Sequence, residues 1–341
     1  MQSDERYSRQ IRFSRVGEEG QARITASRIA IIGAGALGSV SAELLVRAGA
    51  GFVRIVDRDF VEGSNLQRQS LYDEEDVRRN LPKAAAAAAK LRRINSSVLV
   101  EPIIDDVNPS NVEEYIRDVD LVLDGLDNFE TRFVLNDACA KQGRNWIHGA
   151  AVGSYGVVMP IMPASTPCLR CMLGSLPAPG SSPTCDTAGV ISPITHIVAS
   201  LQTAEALKWI CGSLDPSDFH LVTYDAWTQK FHRTRLSADV MSSCPVCAEQ
   251  RYEYLEGSPL RTITLCGRNA VQLIPGVKAD LDLVELSKSL GVAGDVQVND
   301  FLLKCSTPPY EITLFKDGRA IVRGTEEGSL ARSVYAKLIG A

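Results

Sequence analysis

Residues 31–38, IIGAGALG, decide the fold. They join a short β-branched run, RIAII at 28–32, to a segment of helical spacing, GSVSAELLVRAGA at 38–50. Gly33, Gly35 and Gly38 are spaced G-x-G-x-x-G. Between a strand and a helix, that spacing makes a tight turn whose backbone N–H groups can cradle a phosphate. Nineteen residues past Gly38, at the end of the next apolar run (FVRIVDRD, 52–59), stands Asp57, suited to ribose hydroxyls. The turn alone does not choose among NAD, FAD and ATP.

Outward from the turn, strand and helix signals alternate. VLVEPIIDDV (98–107), VDLVLDGLDN (119–128) and NWIHGAAV (145–152) read as strands. PKAAAAAAKLRRIN (82–95) and NFETRFVLNDACAKQG (128–143) read as helices, the first with Pro at its start and six alanines following. This alternation predicts an α/β fold with a doubly wound, Rossmann-like, mostly parallel sheet. The pattern then changes. LPAPGSSPTCDTAGVISP (176–193) is loop-like, THIVASLQTAEALKWICG (195–212) a long apolar helix, and DFHLVTYDAWTQKFHRTRL (218–236) an antiparallel hairpin. A boundary falls near residues 244–259. We expect residues 1–250 to form one domain and 258–341 a small α+β module, with strands in RTITLCG, FLLKCS, YEITLF and RAIVRG, helices in LVELSKSLG and GSLARSVYAKLIG, and a hairpin turn at FKDGRA.

The 341 residues are 45% hydrophobic and 23% charged, ample for a core without disulfides. A net charge of −5 argues against nucleic acid as a general partner. The polar start MQSDERYSRQIRF is no secretory signal, and Gly and Pro interrupt every apolar run short of a membrane span. The expectation is a cytoplasmic protein, in which nine cysteines serve metal, catalysis or packing.

Two features carry chemistry. First, Asn65 and Arg68 in NLQRQ, Lys83 at the head of a helix, Asp124, Asp127 and Asn128 after a strand, and the N-terminal Arg9 all fall at element ends or in loops. A diphosphate and a hydride path do not need so many cations and a free carboxylate. A triphosphate with Mg²⁺ does, so ATP is favoured over NAD. Second, Cys168 and Cys171 (PCLRC) and Cys244 and Cys247 (CPVC) are two Cys-x-x-Cys pairs. Four thiolates make a closed tetrahedral Zn²⁺ site, structural rather than catalytic, stapling segments 73 positions apart. Cys185 stands alone in the Pro/Gly/Ser loop, either a nucleophile or an ordinary loop cysteine. Cys139, Cys211, Cys266 and Cys305 read as packing residues, and the histidines show no metal spacing.

From about Arg6 to Cys247 the chain resembles the MoeB/ThiF family of ubiquitin-activating-like adenylyltransferases. The motifs RYSRQI, GAGALGS, VDRD, NLQRQ, PKA, DGLDN…TR, PCLRC, TCDTAGV and CPVC occur in the family's order. The resemblance implies adenylylation, with ATP and Mg²⁺, of the C-terminal glycine of a small ubiquitin-like sulfur carrier ending in Gly-Gly. Pyrophosphate is released, ahead of a thiocarboxylate for molybdopterin, thiamin or thio-tRNA synthesis. By the same resemblance Gly33, Gly35 and Gly38 line the nucleotide, Asp57 holds the ribose, Asn65, Arg68 and Lys83 contact phosphates, and Asp127 holds Mg²⁺. Arg9 reaches into a neighbouring copy's site, implying a homodimer. Cys185 stands where some relatives link covalently to the carrier. Residues 258–341 lack the Cys-loop of a rhodanese, so the sulfur donor is separate; the module is a candidate docking platform. Three other readings compete: the same site acting on another carboxylate or a tRNA-linked substrate, an NAD-linked oxidoreductase, and a non-enzymatic zinc-stapled scaffold.

Overall fold

The computed structural model describes residues 3–177, 182–256, 260–265, 269–275, 280–292, 294–299 and 302–340. The glycine turn leaves β1 (Arg28–Ile32), which lies at the heart of an eight-stranded sheet. β1 pairs in parallel with β2 (Phe52–Val56) on one side and β4 (Leu121–Asp124) on the other. β3 (Leu99–Ile103) extends the sheet beyond β2, and β5 (Asn145–Val152) beyond β4, both in parallel. The chain then reverses. β6 (Tyr155–Ile161), β7 (His220–Asp225) and β8 (Lys230–Arg235) add antiparallel strands to give the order β3-β2-β1-β4-β5-β6-β7-β8. The expected parallel sheet with an antiparallel second half is therefore present. β6 was not foreseen, because YGVVMPI follows β5 after only a two-residue turn and merges with it in the sequence.

Period-two alternation decides which residues face which helices. Ile29 and Ile31 pack with Leu45, Leu91 and Val198 on one face of the sheet. These come from the helices Ala36–Ala48, Lys83–Ile94 and Ser192–Ile210. Ala30 and Ile32 pack with Ile116, Phe133 and Trp146 on the other face. β1 is thus buried on both faces, which is why it reads as an unbroken apolar run rather than an alternating one. The chain passes from β3 on one side of β1 to β4 on the other, making the switch point at which open α/β sheets place their ligands.

A second, six-stranded antiparallel sheet lies toward the C-terminus. It contains β9 (Leu260–Leu265), β10 (Ala270–Pro275), β11 (Asp295–Val298), β12 (Leu302–Thr307), β13 (Tyr310–Phe315) and β14 (Ala320–Arg323), in the order β11-β12-β13-β14-β10-β9. The helices Leu283–Leu290 and Gly328–Ile339 cover its core around Leu303, Cys305, Ile312, Leu314 and Tyr335. β10 and β11 are additional to the expected strands; β11 has only two apolar residues, alternating with polar ones, whereas β10 is an apolar run interrupted only by Gln272. The FKDGRA turn closes β13 on β14 as expected, with Phe315 N–H donating to Arg319 O at 2.8 Å. Cys139 and Cys305 are fully buried and Cys211 half-buried, as packing residues should be. Cys266 lies outside the described residues. Among those residues no helix is long and apolar enough to cross a membrane.

Candidate nucleotide cleft and cysteine cluster

At the switch point the backbone is packed so closely that only glycine fits. Gly33 has φ +94°, and a Cβ there would lie 2.5 Å from the Gly125 carbonyl oxygen. A Cβ on Gly38 would lie 1.8 Å from Gly33 O, so the helix could not start so close to the strand. Gly35 is different. The nearest atom to its would-be Cβ is Gln69 Nε2 at 3.8 Å, so it opens toward the cleft rather than into the fold. Gly125, in DGLDN, is the packing partner that sequence reading passed over.

These turns floor a cleft of about 690 Å³ at the carboxyl ends of the parallel strands. That is within the roughly 300–1,000 Å³ common for small-molecule sites. Gly33, Gly35, Asp57, Asn65, Arg68, Lys83, Asp127 and Cys185 all line it. Gly38 supports the turn from behind. Arg9 does not reach the cleft; it is exposed on the helix Ser8–Ile11.

The individual roles are sharper than the sequence allowed. Both oxygens of Asp57 are occupied by backbone: Oδ2 accepts from Ala34 N–H at 2.6 Å and Oδ1 from Asp59 N–H at 2.7 Å. Asp57 thereby ties β2 to the glycine turn, and burial pushes its carboxyl up. The carboxylate facing the cations is Asp59, two residues on. Its Oδ2 accepts from Lys83 Nζ at 3.0 Å. Burial would raise Asp59, but Lys83, Lys337 and Arg58 outweigh it and hold the carboxyl well below the usual range. Lys83 is the first residue of its helix and is itself buried, so its ammonium adds to the positive end of the helix. Asn65 is buried in a short helical turn, and Arg68, half-buried, donates to Ser64 O at 3.0 Å.

β4 supplies the opposite wall. Asp124 is fully buried and accepts from Arg132 Nε at 3.0 Å and from the His148 ring, Nδ1 at 2.7 Å. Burial alone would raise its carboxyl, but Arg132 and His148 bring it below the usual range, while burial pushes the His148 imidazole down. A neutral His148 therefore donates Nδ1–H to a charged Asp124. Gln202 Nε2 braces the same strand end through Asp124 O at 2.9 Å and Ile147 O at 3.0 Å. Asp124 is thus spent on structure, and the exposed carboxylate on this side is Asp127, which accepts from Asn128 Nδ2 at 3.2 Å.

Cys185 begins the short helix Cys185–Ala188 across the cleft, with Sγ 3.6 Å from Ala151 O. Two further cleft residues, Ser333 and Lys337, come from the helix Gly328–Ile339 of the second sheet. No sequence signal placed them there.

Away from the cleft, Cys168, Cys171, Cys244 and Cys247 converge with all four Sγ atoms within 4.8 Å of one another. Adjacent Sγ pairs are 3.8, 3.7 and 3.6 Å apart. A tetrahedron with Zn–S of about 2.3 Å has S–S edges of about 3.8 Å, so the thiol set fits zinc. Asn136 Oδ1 accepts from Leu169 N–H at 2.9 Å, and Asp137 from Tyr254 N–H at 2.9 Å. The helix Phe129–Gln142 thereby holds the Cys168/Cys171 segment and the short helix Glu253–Glu256 that follows the second cysteine pair.

The profile of the ThiF family matches residues 7–246. This chain belongs to the ThiF family. Over 337 residues it is 44% identical to the sulfur carrier protein ThiS adenylyltransferase of Bacillus subtilis, covering 98% of this chain and 99% of that one. It is 39% identical to a sulfur carrier protein adenylyltransferase of Thermus thermophilus, covering 72% and 91%. The ThiF-family chain is accordingly an enzyme of the adenylyltransferase class. Among solved structures, the fold is similar to that of Escherichia coli MccB with MccA-N7isoASN. That match has a TM-score of 0.63, 21% identity and coverage of 73% and 75%. It extends the likeness of fold alone.

Proposed function

We propose that this ThiF-family enzyme transfers AMP from ATP to the C-terminal glycine of a small ubiquitin-like sulfur-carrier protein. One observation carries the reading: a single cleft gathers the glycine turn, Asn65, Arg68, Lys83 and Asp127. The names of the relatives point the same way. A carboxylate oxygen of the carrier attacks the α-phosphorus, the bond to the bridging oxygen breaks, and pyrophosphate leaves. The carboxylate is already ionised at neutral pH, so no protein base is required. What the cleft supplies is fixed positive charge where negative charge grows, from Lys83 and Arg68 and the head of the Lys83 helix. Asp127, exposed at the mouth, is the residue to hold Mg²⁺ with the phosphates. The cysteine cluster would hold Zn²⁺ in a closed structural site.

In this reading residues 1–250 carry the chemistry and 258–341 form a second unit docked against it. The enzyme acts as a homodimer, Arg9 of one copy completing the cleft of the other, and a separate donor provides sulfur. ATP–pyrophosphate exchange tests the core of the proposal. Exchange is expected only with a carrier ending in Gly-Gly, and is expected to vanish when the last glycine is removed. Exchange without any carrier, or with the truncated one, would remove the carrier glycine as substrate.

Cys185 has a later role in this scheme: its Sγ attacks the acyl carbon, AMP leaves, and a thioester remains. Cys185→Ser should keep exchange within about threefold of wild type, since in this scheme the acyl-adenylate forms before Sγ acts. It should abolish a hydroxylamine-labile adduct of enzyme and carrier on gels. Loss of exchange itself in this variant would contradict the division of labour.

A further inference from the structure

The helix Gly328–Ile339 belongs to the second sheet but lies against the loops that follow β2 and β3. Those loops are acidic. Asp59 and Asp106 face the helix, which answers with Lys337 Nζ 3.7 Å from Asp59 Oδ2 and Arg332 3.9 Å from Asp106 Oδ2. Arg58, paired with Asp106 at 2.6 Å, also donates to Ser329 O at 3.1 Å. Beyond the helix, Gly340 meets Ser182 so closely that a Cβ would lie 2.4 Å from its carbonyl oxygen. Lys337 is therefore delivered to the cleft by a docked element, not by a loose surface side chain.

Its placement solves an electrostatic problem. Among the charged side chains lining the cleft, acids outnumber bases six to five. Asp59 accepts from the buried Lys83 ammonium at 3.0 Å. A triphosphate arriving at Lys83 would meet the Asp59 charge beside it, and like charges that close repel. Lys337 approaches the same Asp59 oxygen that Lys83 holds, at 3.7 Å against 3.0 Å.

Taking the adenylation reading above as its basis, we propose that Lys337 is a positioning residue of the nucleotide cleft, neutralising Asp59 so that the Lys83 ammonium can serve the triphosphate. The second sheet is then part of the adenylation site, and not only a platform beside it.

The test uses the full-length, metal-loaded protein, with Kd measured by calorimetry for Mg²⁺–ATP and for adenosine, and KM and kcat by carrier-dependent exchange. Lys337→Met should weaken ATP about tenfold in both Kd and KM, the scale of one partly exposed charge contact, with kcat within about threefold. Adenosine, which carries no phosphate, should bind as it does to wild type, and Lys337→Arg should restore ATP binding to within about threefold. Arg332→Met, which cuts the neighbouring docking contact, should leave ATP binding within about threefold of wild type. Unchanged ATP affinity in Lys337→Met would overturn the proposal. So would an equal loss for adenosine, or an equal loss in Arg332→Met, since either would make the helix a structural clamp. Wild-type protein that bound no ATP would instead overturn the adenylation reading and this proposal with it.

Discussion

Lys83→Ala lowers carrier-dependent ATP–pyrophosphate exchange by about 10²-fold or more, the loss expected for one preorganised charge contact to a transition state. Three features set the size of the effect. The side chain is only 8% exposed, so its ammonium acts in a medium that screens poorly. It is the first residue of the helix Lys83–Ile94, where unpaired backbone N–H groups add positive character. Its backbone N–H is itself fixed, donating to Asp59 O at 2.8 Å, so the charge is held before substrate arrives. The substitution should not unfold the protein. Asp59 keeps Arg58 and Lys337, each 3.7 Å away, and is not left as a buried orphan charge. The measurement is steady-state exchange alongside thermal melting. Activity within about threefold of wild type, in a variant that melts normally, would remove Lys83 from the phosphate site.

Cys168→Ser is expected to reduce bound zinc from about one ion per chain to near zero and to lower the melting temperature by about 10 °C or more. Cys168 and Cys244 are buried within the core cluster that also holds Phe133, Leu169 and Tyr254. Removing one ligand leaves the remaining thiols packed in that core with no metal to bind. The cluster joins segments 73 positions apart, so its loss also frees a long loop. A strong chelator should act on wild type in the same direction. Metal analysis and melting decide the matter together: no zinc in wild type, with an unshifted melting temperature in Cys168→Ser, would leave the four cysteines as packing residues. Because four thiolates close the coordination shell, any fall in exchange should follow the loss of folded protein and not precede it.

The parallel half of the large sheet was legible because its signals are local. A β-branched run, a glycine turn and an alanine helix each carry their period within a dozen residues. The cysteine pairs were legible because Cys-x-x-Cys needs only three-residue spacing to aim two thiolates at one ion. The two aspartates of VDRD show the limit of such reading. Sequence singled out Asp57 by its distance from the glycines and gave Asp59 no role; in the structure both line the cleft, Asp57 also accepting from the Ala34 and Asp59 amides while Asp59 faces Lys83. Which of two acids two residues apart meets the Lys83 ammonium depends on backbone brought together by folding. Arg132 stood in the family signature without a role; its pairing with buried Asp124 makes it part of the cleft wall.

Sequence by itself determined the strand–turn–helix order, the switch-point sheet and the membership of the cleft at its core. These follow from residue types whose backbone preferences and hydrophobic period act over short range. Only the tertiary structure decided which carboxylate confronts Lys83, and that Lys337 of the second sheet stands beside it. Lys337 lies on an ordinary amphipathic helix, and nothing in such a helix says what its polar edge will meet. The acidic loops after β2 and β3 supply that partner only in the tertiary structure, where the two sheets lie close enough to bring opposite charges within reach.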